Sequence, residues 1–305
     1  MNTKTQINNN RVPLKLIFLC IGIISLISIC LKLSTTDFTF PVNSDSLAYS
    51  LAAISHTNGD FSQSSHRGIG WSMFVSIFYS FIETDNFLIY SNTIKILSLS
   101  ISIITIPIIY LIGRKFFNEK YSLVVAALFA FEPHLNYNSG FGLSEPIFHL
   151  AIAGAFYFLI NKDTKFIIPS LFLAGMIWWV RFNGITFFII LIIIYLVTKK
   201  NSPNFIRNLT IGITIFLIVV SPMLLQRSNQ FDDPFYFAYS QYIFTGSFEK
   251  VISIEYANTS TSSFDYIQEN GILSFIQTFF INGIFNIIST LWKILFPYLF
   301  ILVPF

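Results

Sequence analysis

The side chains able to do chemistry in this 305-residue chain sit in a few short polar islands between long apolar runs. The first island, Ser34 to Arg67, holds Asp45 with Tyr49 four residues on, and closes with His66-Arg67 before Gly68. A carboxylate at a membrane surface serves as a general base or a metal ligand. A histidine and an arginine at the start of an apolar segment make an anion site. Asp45 also follows Ser44 and precedes a periodic apolar run, which is a helix N-cap signal, so the residue alone supports both readings.

A second island is FEPHLNYNSGFGLSEPIFHL, residues 131–150, with Glu132, His134, Glu145 and His149. A carboxylate in a spanning helix costs about 2.5–3.5 kcal/mol at its centre and less near an interface, so two of them with two histidines exceed what packing needs. The plainer alternatives are an interfacial Glu132 before Pro133 and a Glu145 that suits a helix dipole; His149 reads as a packing or hydrogen-bonding histidine. Arg181, in WWVRFNG, either snorkels to the interface or binds a lipid-borne phosphate with its planar fork. Lys95 poses the same choice inside its own apolar run, and Trp178 and Trp179 read as interfacial belt residues. Asp232-Asp233-Pro234, followed by aromatic residues 235–237 and 239, can frame a sugar or a lipid. No P-loop, zinc spacing, nucleophile elbow or dinucleotide fingerprint occurs, so no cofactor is implied; a divalent metal stays open.

The elements that must carry these groups are membrane helices. Hydrophobic residues make up 54% of the chain and charged ones 11%, with mean hydropathy +0.67, which excludes an ordinary soluble domain. No basic cluster suits nucleic acid. Apolar runs fall at 14–33, 88–112, 121–137, 143–160, 165–181, 184–198, 205–225 and 284–303, about eight spans at roughly 20 residues each. The run 69–82 is short, and reads as an interfacial or re-entrant segment. The first run is expected to be a retained anchor helix. Cys20 and Cys30 both lie in it, roughly 15 Å apart along the axis, too far for a mutual disulfide.

Charge parity orients the spans. With the N-terminus cytoplasmic and 69–82 not crossing, the connections 113–120, 161–164 and 199–204 with their flanks become cytoplasmic, and each is basic, as the positive-inside rule requires. Most carboxylates then face the other side, as do two large loops, 34–87 and 226–283. The first loop is expected to hold an amphipathic helix from Asp45 to about Thr57 with Leu47, Leu51 and Ile54 on its apolar side; the second, an interfacial helix near 273–281. The expected architecture is one all-α, multi-pass domain over 1–305 in the cell membrane, with its chemistry on the extracytoplasmic face.

The order of these segments resembles the membrane-embedded C-type glycosyltransferase superfamily (GT-C), especially its protein-mannosyltransferase and aminoarabinose-transferase-like branch. The resemblance runs from about residue 14 to 245, through NSDSLAYSLAA, HRGIGWSMFVSIFYSFI, SGFGLSEPIFHLAIAGAFYFL, AGMIWWVRFNGITFFIILII and DDPFYFAYSQ. It implies a sugar donor on a polyprenyl or dolichyl phosphate and a protein, lipid or glycan acceptor. Asp45 matches the first-loop base that deprotonates the acceptor hydroxyl, with inversion at the anomeric carbon. Arg67 with His66, and Arg181, would bind the donor phosphate. Glu145 would line the site, with Glu132, His134, Tyr49, Asp232 and Asp233 near it. The chain departs from the pattern where Ser46 follows Asp45 in place of a second acidic residue, and where Gly68 follows Arg67 in place of proline.

Two rival classes fit the same composition. A transporter or lipid flippase would string Glu132, Glu145, Lys95 and Arg181 through the bundle, with polar residues at mid-depth and an inverted repeat. A non-catalytic assembly subunit would use Asp45 only as a helix cap.

Overall fold

The computed structural model describes residues 13–61, 68–231, 234–235 and 263–291, and every regular element among them is helical. His66, Arg67, Asp232 and Asp233 lie outside the described residues. The chain divides into two compact units, Met1–Phe235 and Tyr236–Phe305.

In the first unit α1 (Leu14–Thr35) opens directly after Pro13, whose fixed φ suits a helix entry. It is apolar all round, and Leu14, Phe18 and Leu26 stay more than half exposed. An exposed helix of that kind is matched to hydrocarbon, not to water. After α2 (Ser44–Thr57) and α3 (Gly70–Tyr79) comes α4 (Phe87–Gly113), capped by the Asn86 side chain on the Leu88 amide. It runs through the middle of the unit and packs on α5 (Glu119–Phe131) and α7 (Glu145–Leu159).

Between those two lies a break that hydropathy hides. The apolar run 121–137 is not one helix: α5 stops at Phe131 and α6 (Pro133–Gly140) starts two residues later. Pro133 lacks an amide proton and pushes its predecessor out of the helical region, and Glu132 is accordingly extended at φ −62°, ψ 120°. Glu132 then caps α6 by accepting from the Leu135 amide.

The unit continues through α8 (Ile167–Val180), which a 3-10 turn (Thr164–Phe166) precedes, α9 (Gly184–Lys199) and α10 (Phe205–Phe231). Leu171, Ile177, Val220 and Met223 are fully buried where α8 meets α10. Trp178 belongs to this core and not to an interfacial belt: it is 3% exposed and stacks on Phe216 at 5.9 Å. A second core joins Trp71, Val75 and Tyr79 of α3 to Ile94 of α4. The ten residues of α3 rise about 15 Å, half the thickness of a hydrocarbon core.

In the second unit, α11 (Ser263–Asn270) turns at Gly271, φ +80°, into α12 (Ile272–Leu291). This differs from the expected interfacial helix followed by a separate span from 284. The helix instead continues through Asn282 and Gly283, with a π-helical stretch at Ile276–Ile281.

Four of these helices, α1, α4, α10 and α12, are long and apolar enough to cross a membrane; α3, α7, α8 with its 3-10 turn, and α9 are apolar and shorter. Within the first unit the charges sort by end. At one end, Arg114 pairs with Glu119 at 2.6 Å, Lys165 with Asp163 at 3.1 Å, and Lys199 donates to the Asn161 carbonyl. Near the other end lie Asp37, Asp45, Glu132 and Glu145, with the basic Lys32, Lys95 and Arg181 among them.

Close backbone approach fixes that second end. Gly68 lies directly against the Val180 carbonyl, and a Cβ on Gly70 would stand 2.8 Å from the Trp179 carbonyl carbon. Gly68→Ala is therefore expected to destabilise the protein by about 1–3 kcal/mol through overpacking against backbone that cannot rotate away. Thermal unfolding in detergent should show a lowered Tm, while Gly22→Ala, where a Cβ meets nothing within 4 Å, leaves it in place. Equal behaviour of the two variants would refute the packing.

Candidate functional site

The candidate site is built on α2, and α2 is held by α4. One turn of α4 presents Ser91, Asn92 and Lys95 to the connection that leads into α2. Ser91 accepts from the Val42 amide at 3.2 Å, and Asn92 donates to the Phe38 carbonyl at 3.0 Å. Lys95, 5% exposed, donates to the Asp37 and Phe40 carbonyls at 2.6 and 2.7 Å, with its ammonium 5.9 Å from the Phe38 ring. This lysine neither snorkels nor faces a lipid phosphate; it ties down a loop. Asp37 folds the loop further by accepting from the Thr39 amide and hydroxyl, and these bonds hold its carboxyl below the usual carboxylate range.

The start of α2 is unusual. Asn43 occupies the N-cap position without a side-chain capping bond, and Ser44 sits at φ +48°, a region that costs a non-glycine residue about 1 kcal/mol. Asp45 follows in the first turn, exposed, so the cap expected from Ser44-Asp45 belongs to neither residue.

The inward side of the helix is largely polar or small. Ser46, Tyr49, Ser50, Ala53 and His56 are buried, whereas Leu51 is 46% exposed and Leu47 and Ile54 only half-buried. Polar groups point inward because partners wait there. Ser50 meets the Tyr79 hydroxyl at 2.7 Å, and that hydroxyl lies 2.7 Å from the Tyr90 carbonyl.

Tyr49 links α2 to the second polar island. Its hydroxyl lies 3.2 Å from the Ser144 hydroxyl, and Ser144 is the N-cap residue of α7, directly before Glu145. Asp45, one turn before Tyr49, shares that side of α2. Glu145 in turn pairs with Arg181 at 2.5 Å. Arg181 is extended (φ −144°, ψ 138°) at the end of α8, with its guanidinium carbon 5.4 Å from the Phe148 ring. Only one of its five N–H donors is engaged among the described residues, and its side chain is 37% exposed. Glu145 keeps a buried Oε2 without a hydrogen-bond partner among the described residues. The pair thus offers a charged fork to a ligand, while both carboxylate oxygens stay turned inward.

The other expected residues separate by depth. His134 is exposed and bonds Asn138 at 3.1 Å, and Glu132 caps α6. His149, half-buried on α7, lies one turn after Glu145. Sequence reasoning missed Lys32: it is 2% exposed in the last turns of α1 and donates to Asn136 of α6 at 2.5 Å. A lysine at the non-basic end of a spanning helix runs against the charge pattern, and that was the available signal. Among the described residues no three His, Cys, Asp or Glu side chains converge on a metal position.

Comparison with known proteins gives no match: no family model, no curated protein and no solved structure is similar to the chain at a significant level.

Two outcomes follow from this geometry. In a double-mutant cycle with Glu145→Gln and Arg181→Ala, partial exposure of both partners limits the coupling to about 1 kcal/mol, read as non-additive unfolding midpoints. Strict additivity would show that the pair does not act as a unit. His56, 6% exposed and stacked on Phe61 at 4.8 Å, has no well-formed hydrogen bond to either ring nitrogen among the described residues, and burial pushes its pKa down. The unfolded chain therefore takes up the proton first, and stability falls as pH drops through the ordinary histidine range near about 6.5. His56→Phe should flatten the loss of Tm between pH 7.5 and 5.5; an unchanged slope would assign that loss to other groups.

Proposed function

We propose that the protein is a lipid-phosphate-sugar-dependent glycosyltransferase that works at the acidic end of its bundle, facing the extracytoplasmic side. In this reading α5 with α6, α7, α8 and α9 cross the membrane along with the four long helices, giving about eight spans in a GT-C-like arrangement. The basic end then lies in the cytoplasm, in accord with the positive-inside rule.

The observation that carries the reading is Arg181: a half-exposed guanidinium, fixed by Glu145, with donors to spare. A phosphate held by such a fork gains charge-assisted, geometrically defined hydrogen bonds. Its position at the α2 end supplies the second requirement, since Asp45 stands exposed one turn from the Tyr49–Ser144 contact.

The chemistry assigned to these groups is a single displacement. The acceptor hydroxyl oxygen attacks the anomeric carbon as the bond from that carbon to the carrier phosphate oxygen breaks. The hydroxyl proton passes to Asp45, the configuration inverts, and the lipid phosphate leaves with its charge met by Arg181. Arg67 and His66 share the phosphate role by resemblance alone.

Transfer of labelled sugar from a polyprenyl phosphate by the purified, membrane-reconstituted protein is the direct test. Asp45→Asn is expected to lower kcat by about 10²–10⁴ with the Tm retained, the size of a lost general base. Arg181→Ala should lower kcat/KM for the lipid donor. Wild-type turnover by Asp45→Asn would remove Asp45 as the base, and no transfer to any acceptor would remove the activity.

One observation favours a transporter instead: the buried Lys32–Asn136 pair, with the Glu132 charge acting on Lys32, is polar structure inside the bundle. Solute flux into sealed vesicles, abolished by Lys32→Met, is the outcome that would prefer it.

A further inference from the structure

The connection between α1 and α2 roofs a cavity of about 280 Å³. Its lining combines Asp37, Asn43 and Lys95 with three aromatic rings, Phe40, Tyr137 and Phe141. We propose that this cavity binds a neutral saccharide ring, and that the acceptor of the transfer reaction is a glycan; the second half rests on the glycosyltransferase reading above.

Size is the first argument. The volume falls at the small end of known ligand sites, room for about one ring and too little for a lipid chain.

Charge decides the class. Lys95 and Asp37 act on each other, so the lining carries one positive and one negative group. An anion would enter against Asp37, with Asp45 two residues beyond Asn43, and a cation against Lys95. A neutral, hydroxyl-bearing ligand meets neither penalty and can use both groups.

The hydrogen-bonding capacity is also of the required kind. Lys95 commits two of its three donors to carbonyls, which leaves one. Asn43 makes no side-chain capping bond, and the Asp37 bonds to Thr39 use Oδ1 alone. Donors and acceptors thus stand side by side, as vicinal hydroxyls need.

The aromatic wall supplies the apolar half. Tyr137 and Phe141 pack edge to face, 4.5 Å between centroids, with Tyr137 53% exposed. Ring faces of this kind take the C–H side of a pyranose, whose other edge turns to the polar groups. A ring seated there lies beside Asn43, the residue that leads into α2, with Asp45 two residues further along the chain.

The test uses the full chain in phosphatidylcholine nanodiscs, free of sugar-headed detergent, with saturation-transfer NMR on the methyl glycosides of glucose, mannose and galactose. At least one glycoside should receive saturation. Tyr137→Ala should abolish the transfer and Asn43→Ala reduce it. Tyr137 is exposed, so its variant keeps the fold, and an unchanged Tm verifies this. Absence of transfer to all three glycosides, or transfer undiminished by Tyr137→Ala, would overturn the site. So would displacement of a bound glycoside by millimolar inorganic phosphate, which would mark an anion site. Glycoside binding without sugar transfer from any polyprenyl phosphate would uphold the cavity and defeat the glycosyltransferase reading, so the two fail separately.

Discussion

The buried ammonium of Lys95 is the constraint on which the site depends. A lysine that deep in an apolar helix is tolerated only if its charge is met by oriented dipoles, and here the Asp37 and Phe40 carbonyls provide them. The loop gains as much as the lysine does. Its Asp37 and Phe40 carbonyls gain a charged donor that fixes their direction. With Ser91 and Asn92 beside it on the same turn, Lys95 converts an irregular stretch into a fixed lead-in for α2. The position of Asp45 is therefore set from α4, some fifty residues away in sequence, and not by a cap of its own.

A second set of forces locates the other half. Glycines at 68 and 70 let α3's entry press against the end of α8, and that end carries Arg181 in an extended conformation. Glu145, at the first turn of α7, then draws the guanidinium across. In bulk water such an ion pair contributes little. At the margin of an apolar bundle the local dielectric is lower, and the pair keeps both side chains in one orientation. Backbone proximity brings the elements together, and the charges choose the rotamers.

Much of this was legible in the sequence at the level of elements. Apolar runs located α1, α4, α7, α8, α9 and α10, and the cap signal at Ser44-Asp45 with the apolar residues behind it placed α2 to within a residue of its bounds. Side-chain direction was less legible. Periodicity put Leu47, Leu51 and Ile54 on one side of α2 but could not say which side faces the bundle, where Ser46, Ser50 and His56 go inward. Trp178 was misplaced for a related reason, since composition cannot tell a belt tryptophan from a core one. Pro133 did announce the α5–α6 break, but the hydropathy around it spoke louder. The pairing of Glu145 with Arg181, and the burial of Lys32 and Lys95, are tertiary facts with only faint sequence traces.

A division of labour among the charges runs through the bundle. Lys32 and Lys95 are nearly inaccessible, and their donors go mainly to groups of the chain itself: Asn136 for one, loop carbonyls for the other. Glu145 stands between, with one oxygen committed to Arg181 and the other buried and unspent. Asp45 and Arg181 are the accessible ones, and they lie on elements that the buried charges or close backbone contacts have already fixed. Desolvation explains the order. A charge held inside must be satisfied by the protein in every state, so it is suited to positioning; a charge at the rim can exchange water for a ligand at small cost, so it is suited to acting. Under the proposed function that criterion makes Asp45 and Arg181 the pair suited to act, and the lysines, for all their rarity in such a sequence, their scaffold.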